Sequence, residues 1–394
     1  MNKKILLELE KIKKQGLLRA LVQLLPLHNS RAEINGKTFI NFSSNNYLSL
    51  SKNPLVIASA CSAAKKYGSG SCASRLVCGN YSLHKELEEK LTSFKGTEAA
   101  LVFPSGFQAN CGTLSAIAGI GDCIIMDEYN HASLWEGAKL SKSRIFAYEH
   151  KNIDALEKIL KRSIPYNQKF IITDSVFSMD GDLAPLKEIF KLAKTYNATV
   201  IVDEAHAIGV FGESGAGLCE ALNIKEENAL YLGTLSKAFG SQGGFVCGSK
   251  ELIEFIINRS RAFIYSTSLA PACAGAAIKA IDLTVDAKKQ RKELLANAQY
   301  LRNQLNQMGF DTLKSESQII PILIGDSVNV LDFSKKLYES SIFAPAIRPP
   351  TVPDGTARIR ISLNTSHTNE DIEKLIEAIK NAKESIKDVR LNII

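Results

Sequence analysis

The sequence predicts an α/β protein: a large domain on a mostly parallel sheet, followed by a smaller α+β domain. Three observations carry this. Seven short runs are apolar throughout instead of alternating, as strands covered on both faces are. Amphipathic segments of helical spacing separate them. After about residue 280 that rhythm gives way to a long helix, one strand, another helix, one more strand and a closing helix. At 394 residues the chain is long enough to divide.

The elements follow in order. "MNKKILLELEKIKKQ" reads as an amphipathic helix, because Glu8 and Glu10 interrupt any apolar stretch that a signal peptide would need. The strand candidates are 99–103, 122–126, 144–148, 169–174, 199–203, 229–232 and 244–247. Between them, Leu83, Leu87 and Leu91 share one helical face, as do Ile153, Leu156, Ile159 and Leu160, and again Leu186, Ile189, Phe190 and Ala193. The last helix repeats the pattern with Ile372, Leu375, Ile376, Ile379 and Ile386. The expected layout is an N-terminal arm over 1–45, a large domain over 46–280 and a C-terminal domain over 281–394.

Composition bounds the function. The formal charge is +7, yet no run reaches five like charges, the pattern of a solvated surface and not of a nucleic-acid patch. No apolar stretch approaches the ~18 residues of a membrane span. None of the eight cysteines forms a C-x-x-C pair; they read as reduced, buried core residues, not as a metal site or disulfide frame. A soluble cytoplasmic protein without a metal is the expectation.

Ligands of open α/β sheets bind beyond the carboxyl ends of the strands, and three constellations fall there. In "VIVDEAHAIGV" an apolar strand ends on Asp203, with His206 three residues on; a buried acid needs a positive or hydrogen-bonding partner. In "TLSKAFGSQGG", Lys237 lies in a short loop between a strand and a glycine pair, where partial burial makes an amine nucleophile. In "PSGFQAN" a helix opens on small residues and offers free N–H groups to an anion. Taken singly, each has a plainer reading: a helix-capping Asp, a surface lysine, a helix cap. Two rivals fail on context. "DEAH" suggests an ATPase acid, but the one G-K-T, at Gly36, Lys37 and Thr38, has Arg31 where a phosphate loop needs glycine. "GSGSCA" follows a helical segment and not a strand, so it is no dinucleotide fingerprint. A cofactor with a phosphate, a basic ring nitrogen and an aldehyde accounts for all three constellations together, and pyridoxal 5′-phosphate (PLP) has all three.

"FSSNNYLSL", "GSGSCASRLVCGNYSLHKELE", "YNHASLWEGAKLS", "VFSMDGDLAPL" and "DEAHAIGVFGESGAG" resemble the α-oxoamine synthases, a group of fold-type I PLP enzymes, from about Leu17 to the last helix. The resemblance implies the PLP-dependent transferase fold type I, PLP as cofactor and a homodimer with shared active sites. It implies that Lys237 bonds to the cofactor aldehyde, that His131 stacks on its ring, that Asp203 pairs with the ring nitrogen and that His206 pairs with the ring oxygen. Gly106, Phe107, Ser178 and Thr234 match cofactor positions; Ser266 and Thr267 match positions that reach the neighbouring subunit's phosphate. Arg19, Asn45, His131, Thr351 and Arg360 match substrate positions, with Arg360 as the clamp on the amino-acid carboxylate. "RLVCGNYSLH" and "AIRPPTVPDGTARIRISLNTSHT" lean towards the member that condenses L-alanine with a pimeloyl thioester in biotin synthesis. Another α-oxoamine synthase or a non-catalytic relative is the alternative.

Overall fold

The computed structural model describes residues 2–226 and 228–384. Its contacts gather the chain into two units: 46–178 with 183–292, and 1–45 with 179–182 and 293–394. Ile386 and the rest of the expected closing segment after Glu384 lie outside the described residues.

The larger unit is built on a seven-stranded sheet. Across it the strands run Ala99–Phe103, Gly244–Gly248, Leu230–Thr234, Thr199–Asp203, Lys169–Asp174, Cys123–Asp127 and Arg144–Tyr148. Gly244–Gly248 is antiparallel to both neighbours, and the other six run one way. All seven expected strands form, with ends shifted by at most two residues. Six of the apolar runs are buried on both faces, and Ile124, Met126, Ile172, Ile201, Leu232 and Val246 join Leu114 and Leu134 of the covering helices in one core; in the edge strand Arg144–Tyr148 only Tyr148 is buried. Side-chain caps start the helices where the sequence offers them, at Asn53, Ser105, Asn152 and Ser249.

The units divide between Lys292 and Glu293, twelve residues beyond the expected 280. The helix Pro271–Asp286 explains the shift. Its Ala274, Ala277, Ala280 and Ile281 are buried, and it packs on the helices Pro54–Tyr67 and Ser82–Lys95 of the larger unit. Buried Arg291 then ties the start of the next helix, Lys288–Gln307, to the carbonyls of Thr284 and Glu213. The cysteine reading also needs correction. Cys111, Cys123, Cys219 and Cys247 are buried, but Cys61, Cys72 and Cys78 are exposed. Small neighbours in sequence do not place a residue inside; Cys72 and Cys78 sit in an irregular loop after the helix Pro54–Tyr67. Among the described residues no helix is long and apolar enough to cross a membrane.

In the smaller unit the N-terminal segment does not stand alone as an arm. Its strand Lys37–Asn41 pairs in parallel with Ile342–Phe343, and Arg31 pairs with buried Asp371 at 2.6 Å. A second sheet sets Ala357–Ser362 between Ile319–Gly325 and Ala346–Ile347, all antiparallel. The short segment 179–182 belongs here because Asp180 pairs with Arg358 at 2.5 Å and the Gly181 carbonyl accepts from Glu316 N–H. Gly181 is required: its φ is +71°, and a Cβ would come within 2.0 Å of the Ile319 carbonyl oxygen.

His367 is buried in this unit, stacked on Phe42. Its Nδ1 accepts from Asn364 N–H at 3.2 Å, and Nε2 lies 3.1 Å from the Asn41 carbonyl, to which it donates. Desolvation brings its pKa down to about 4. An unfolded histidine takes a proton below about pH 6.5 while this one stays neutral, so stability is full above 6.5 and falls as pH drops towards 4, by a total of about 3 kcal/mol. Urea unfolding at pH 7 and pH 4.5 checks this: His367→Gln is expected to lose that part of the slope, and an unchanged slope in the variant counts against it.

Candidate active site

The site in the larger unit forms where parallel strands stop. Thr199–Asp203 ends on Asp203, whose carboxylate is buried. The partners it requires are present: Asn110 Nδ2 donates to Oδ2 at 2.7 Å, and Ala205 N–H donates to Oδ1 at 2.9 Å. Next to it in register, Lys169–Asp174 ends on Asp174, also buried. Desolvation, together with the nearby Asp203 charge, holds the Asp174 carboxyl well above the usual carboxylate range. Asp174 also accepts the backbone N–H of His131 at 2.8 Å.

His206 sits three residues past Asp203, in a turn held by Glu204. Glu204 is fully buried and pairs with buried Lys95, while its Oε1 accepts Cys219 N–H at 2.9 Å. Burial alone would lower the Lys95 pKa; the attraction of Glu204 prevails and holds it above the ordinary lysine value. Gly217 must be glycine beside this pair, since its φ is +126° and a Cβ would lie 2.4 Å from Glu204 Oε1. The turn so held aims His206 at Lys237, with Nε2 and Nζ 2.7 Å apart, and places Nδ1 2.6 Å from the Tyr47 hydroxyl. Lys237 is half-buried, as its short loop led one to expect.

The helix Gly106–Ile117 starts beside the same strand ends. Ser105 caps it by accepting Gln108 N–H at 3.2 Å, and the Gly106 and Phe107 amides belong to its first turn, which has no intrahelical acceptors. A Cβ on Gly106 would lie 3.5 Å from Thr234 Oγ1, so the hydroxyl borders the helix start. Thr234 donates to the Gly243 carbonyl at 2.9 Å and accepts Ser236 N–H. Ser178 is half-buried in the loop after the Asp174 strand. Ser266 accepts from Gln108 Nε2 at 3.0 Å, whereas Thr267 is exposed and bridges Ser74 through backbone alone. His131 is exposed; desolvation lowers its pKa, and Lys237 acts in the same direction against Asp203.

The remaining expected positions lie in the smaller unit, in two groups. Arg360, buried on the strand Ala357–Ser362, donates to Asn45 Oδ1 at 3.2 Å. Arg19 donates to Thr351 Oγ1 at 3.3 Å and to the Pro349 carbonyl at 3.4 Å. Sequence reasoning placed Asp174 at a strand end without giving it a role, and missed Asn110, Tyr47 and Ser133. Asn110 and Tyr47 stand inside quoted motifs, but their partners are 93 and 159 residues away, a separation that no local pattern reports.

These parts suit PLP by the chemistry of the donor set: a buried carboxylate at a strand end, a lysine within reach of an imidazole, and a helix start bordered by a hydroxyl. A fold of this kind with this set of side chains defines a PLP-dependent transferase. The model of the aminotransferase class I and II family matches residues 37–379, and the chain belongs to that family. Within it the chain groups with the 8-amino-7-oxononanoate synthases. The 8-amino-7-oxononanoate synthase of Thermoanaerobacter pseudethanolicus is 45% identical over 374 residues, 95% of each chain. Among solved structures, a serine palmitoyltransferase variant from S. paucimobilis with bound PLP–myriocin is 32% identical, with TM-score 0.90 and 97% of each chain covered. The 8-amino-7-oxononanoate synthase of Francisella tularensis is 29% identical, with TM-score 0.76 over 88% of this chain and 97% of that one.

Proposed function

We propose that the protein is a PLP-dependent C-acyltransferase of biotin synthesis. It condenses L-alanine with a pimeloyl thioester, releasing carbon dioxide and the thiol and giving 8-amino-7-oxononanoate. The observation that carries this reading is the Asp203–His206–Lys237 set at the ends of neighbouring parallel strands, in a chain 45% identical to such a synthase. When bound, PLP supplies an electron sink for the α-carbon of the amino acid.

The chain's own groups supply the rest. Asp203, oriented by Asn110 and Ala205, would pair with the ring nitrogen and favour the protonated ring. His206, braced by Tyr47, holds the Lys237 amine and pairs with the ring oxygen. Lys237 would hold the cofactor through its aldehyde, and its Nζ, when free, would serve as the base for the α-proton of the amino acid. Gly106, Phe107, Ser178 and Thr234 bind the cofactor, with the helix amides and the Thr234 hydroxyl on its phosphate. Arg360, steadied by Asn45, clamps the alanine carboxylate with its planar fork. Arg19 and Thr351 serve the substrate as well. The protein works in the cytoplasm as a homodimer, in which Ser266 and Thr267 reach the partner's phosphate. The exposure of Thr267, of Tyr265 at 72% and of Phe107 at 52% supports a covered face there.

Four measurements test this reading. Borohydride reduction of the PLP-loaded protein and peptide mapping should label Lys237; a label on another lysine removes it from its role. In parallel, Asp203→Asn should lower kcat on the order of 10²–10³-fold with the fold intact, and near-normal turnover would reduce Asp203 to a cap. For the substrates, kcat/KM should be highest for alanine with pimeloyl thioester. Glycine should trail by about 10–200-fold, the worth of one methyl in an apolar pocket. Preference for glycine with an acetyl or succinyl thioester would assign the chain to a sibling activity. For the shared site, mixing Lys237→Ala protein with a Thr267→Val/Thr351→Ala protein should restore part of the activity; confirmed hybrids with none would argue for self-contained sites.

A further inference from the structure

Four side chains in the larger unit form a continuous hydrogen-bonded chain that ends on His131. Asn110 Nδ2 lies 2.7 Å from Asp203 Oδ2 and 2.8 Å from Ser133 Oγ. Ser133 Oγ lies 2.7 Å from His131 Nδ1, and the Ser133 backbone N–H points at the same nitrogen at 3.3 Å. Asn110, Ser133 and Asp203 are all buried. None of this follows from the roles assigned above, which use the ring of His131 but not its proton.

The direction of each bond follows from what its atoms can do. An ionised carboxylate only accepts, so Asn110 faces Asp203 with its NH₂ group, and the second hydrogen of that group goes to Ser133 Oγ. A serine hydroxyl has one proton. With a donor already arriving from Asn110, it gives that proton to His131 Nδ1. The Ser133 backbone N–H is a donor and nothing else, and it aims at the same atom. Nδ1 therefore receives and carries no hydrogen, which leaves the proton of a neutral imidazole on Nε2. The helix adds to this. His131 is the N-cap of Ala132–Ser141, accepting through Nδ1, and the positive end of a helix dipole opposes a second positive charge on the ring.

We propose that Asn110 and Ser133 are positioning residues that fix His131 as the neutral Nε2–H tautomer, a donor facing the substrate. The inference rests on the proposed function only for the use made of that donor. A neutral ring can lie against a cationic cofactor ring without repulsion, and its Nε2–H can meet a substrate oxygen. The charged groups around the ring are Asp203 and Lys237 at the neighbouring strand ends, with Asp174 bound to its backbone N–H. The relay begins on Asp203, so the carboxylate that would serve the cofactor also orders the imidazole of His131.

The test reads the tautomer directly. Nitrogen-15 NMR of histidine-labelled protein without substrate, with His131 assigned among the six histidines by its absence in His131→Gln, should give Nε2–H and titration below the ordinary histidine range. Ser133→Ala should mix the tautomers, raise the His131 pKa and lower kcat about tenfold with little change in KM. Ser133→Thr should restore all three. Asn110→Ala, which touches neither His131 nor its cap, should mix the tautomers in the same direction. An Nδ1–H ring in the native protein overturns the proposal, and so does an unchanged tautomer in both Ser133→Ala and Asn110→Ala. The tautomer and its titration need no turnover, so they decide the relay even if the substrates prove to be those of a sibling enzyme.

Discussion

The larger unit is organised around a carboxylate that cannot be left alone. Asp203 ends a strand that is buried on both faces, where an unpaired charge costs several kcal/mol. Its surroundings are built to meet that demand. One oxygen takes the Ala205 amide, which shapes the turn leading to His206; the other takes Asn110, which comes from the helix whose first turn offers amides to an anion. One charge thus ties together a strand end, a turn and a helix start, and those are the three places from which the proposed cofactor contacts come.

A second buried charge steadies the first. Glu204 follows Asp203 directly, points the other way and pairs with Lys95 inside the protein. A buried ion pair of this kind adds little net stability over an apolar substitute, but losing one partner leaves the other charge stranded. Its value here is specificity: the Glu204 carbonyl accepts the Ala207 and Ile208 amides, and the turn so closed delivers His206 to Lys237 and Tyr47 at hydrogen-bonding distance. Gly217, with its left-handed backbone against the Glu204 carboxylate, belongs to the same device.

The smaller unit solves a different problem. Arg358 and Arg360 are two residues apart on one strand, so they share a face of the sheet. Both are buried and each has an oxygen partner, Asp180 for Arg358 and Asn45 for Arg360. Arg358 is neutralised by a carboxylate and reads as structural. Arg360 donates to an amide oxygen at 3.2 Å from the same face of the strand, and its planar fork is the donor geometry a carboxylate clamp needs.

By itself the sequence determined the strands of the large sheet, because uninterrupted apolar runs are satisfied by burial on both faces, as six of the seven are; the edge strand Arg144–Tyr148 is the exception. It also determined the residue types at their ends: Asp203, His206 and Lys237 are close to strand ends in the chain, and strand ends are where such sheets bind ligands. Three things waited for the tertiary structure. The boundary at Lys292–Glu293 depends on a helix that packs backwards onto the larger unit and on where Arg291 finds carbonyls. The placing of the cysteines depends on which way each side chain turns, so three that read as core are exposed. The partners of Asp203, His206 and His131 come from Asn110, Tyr47 and Ser133. A residue's own periodicity tells whether it is buried, but its hydrogen-bond partner is chosen by elements that the sheet brings together from 93 or 159 residues away.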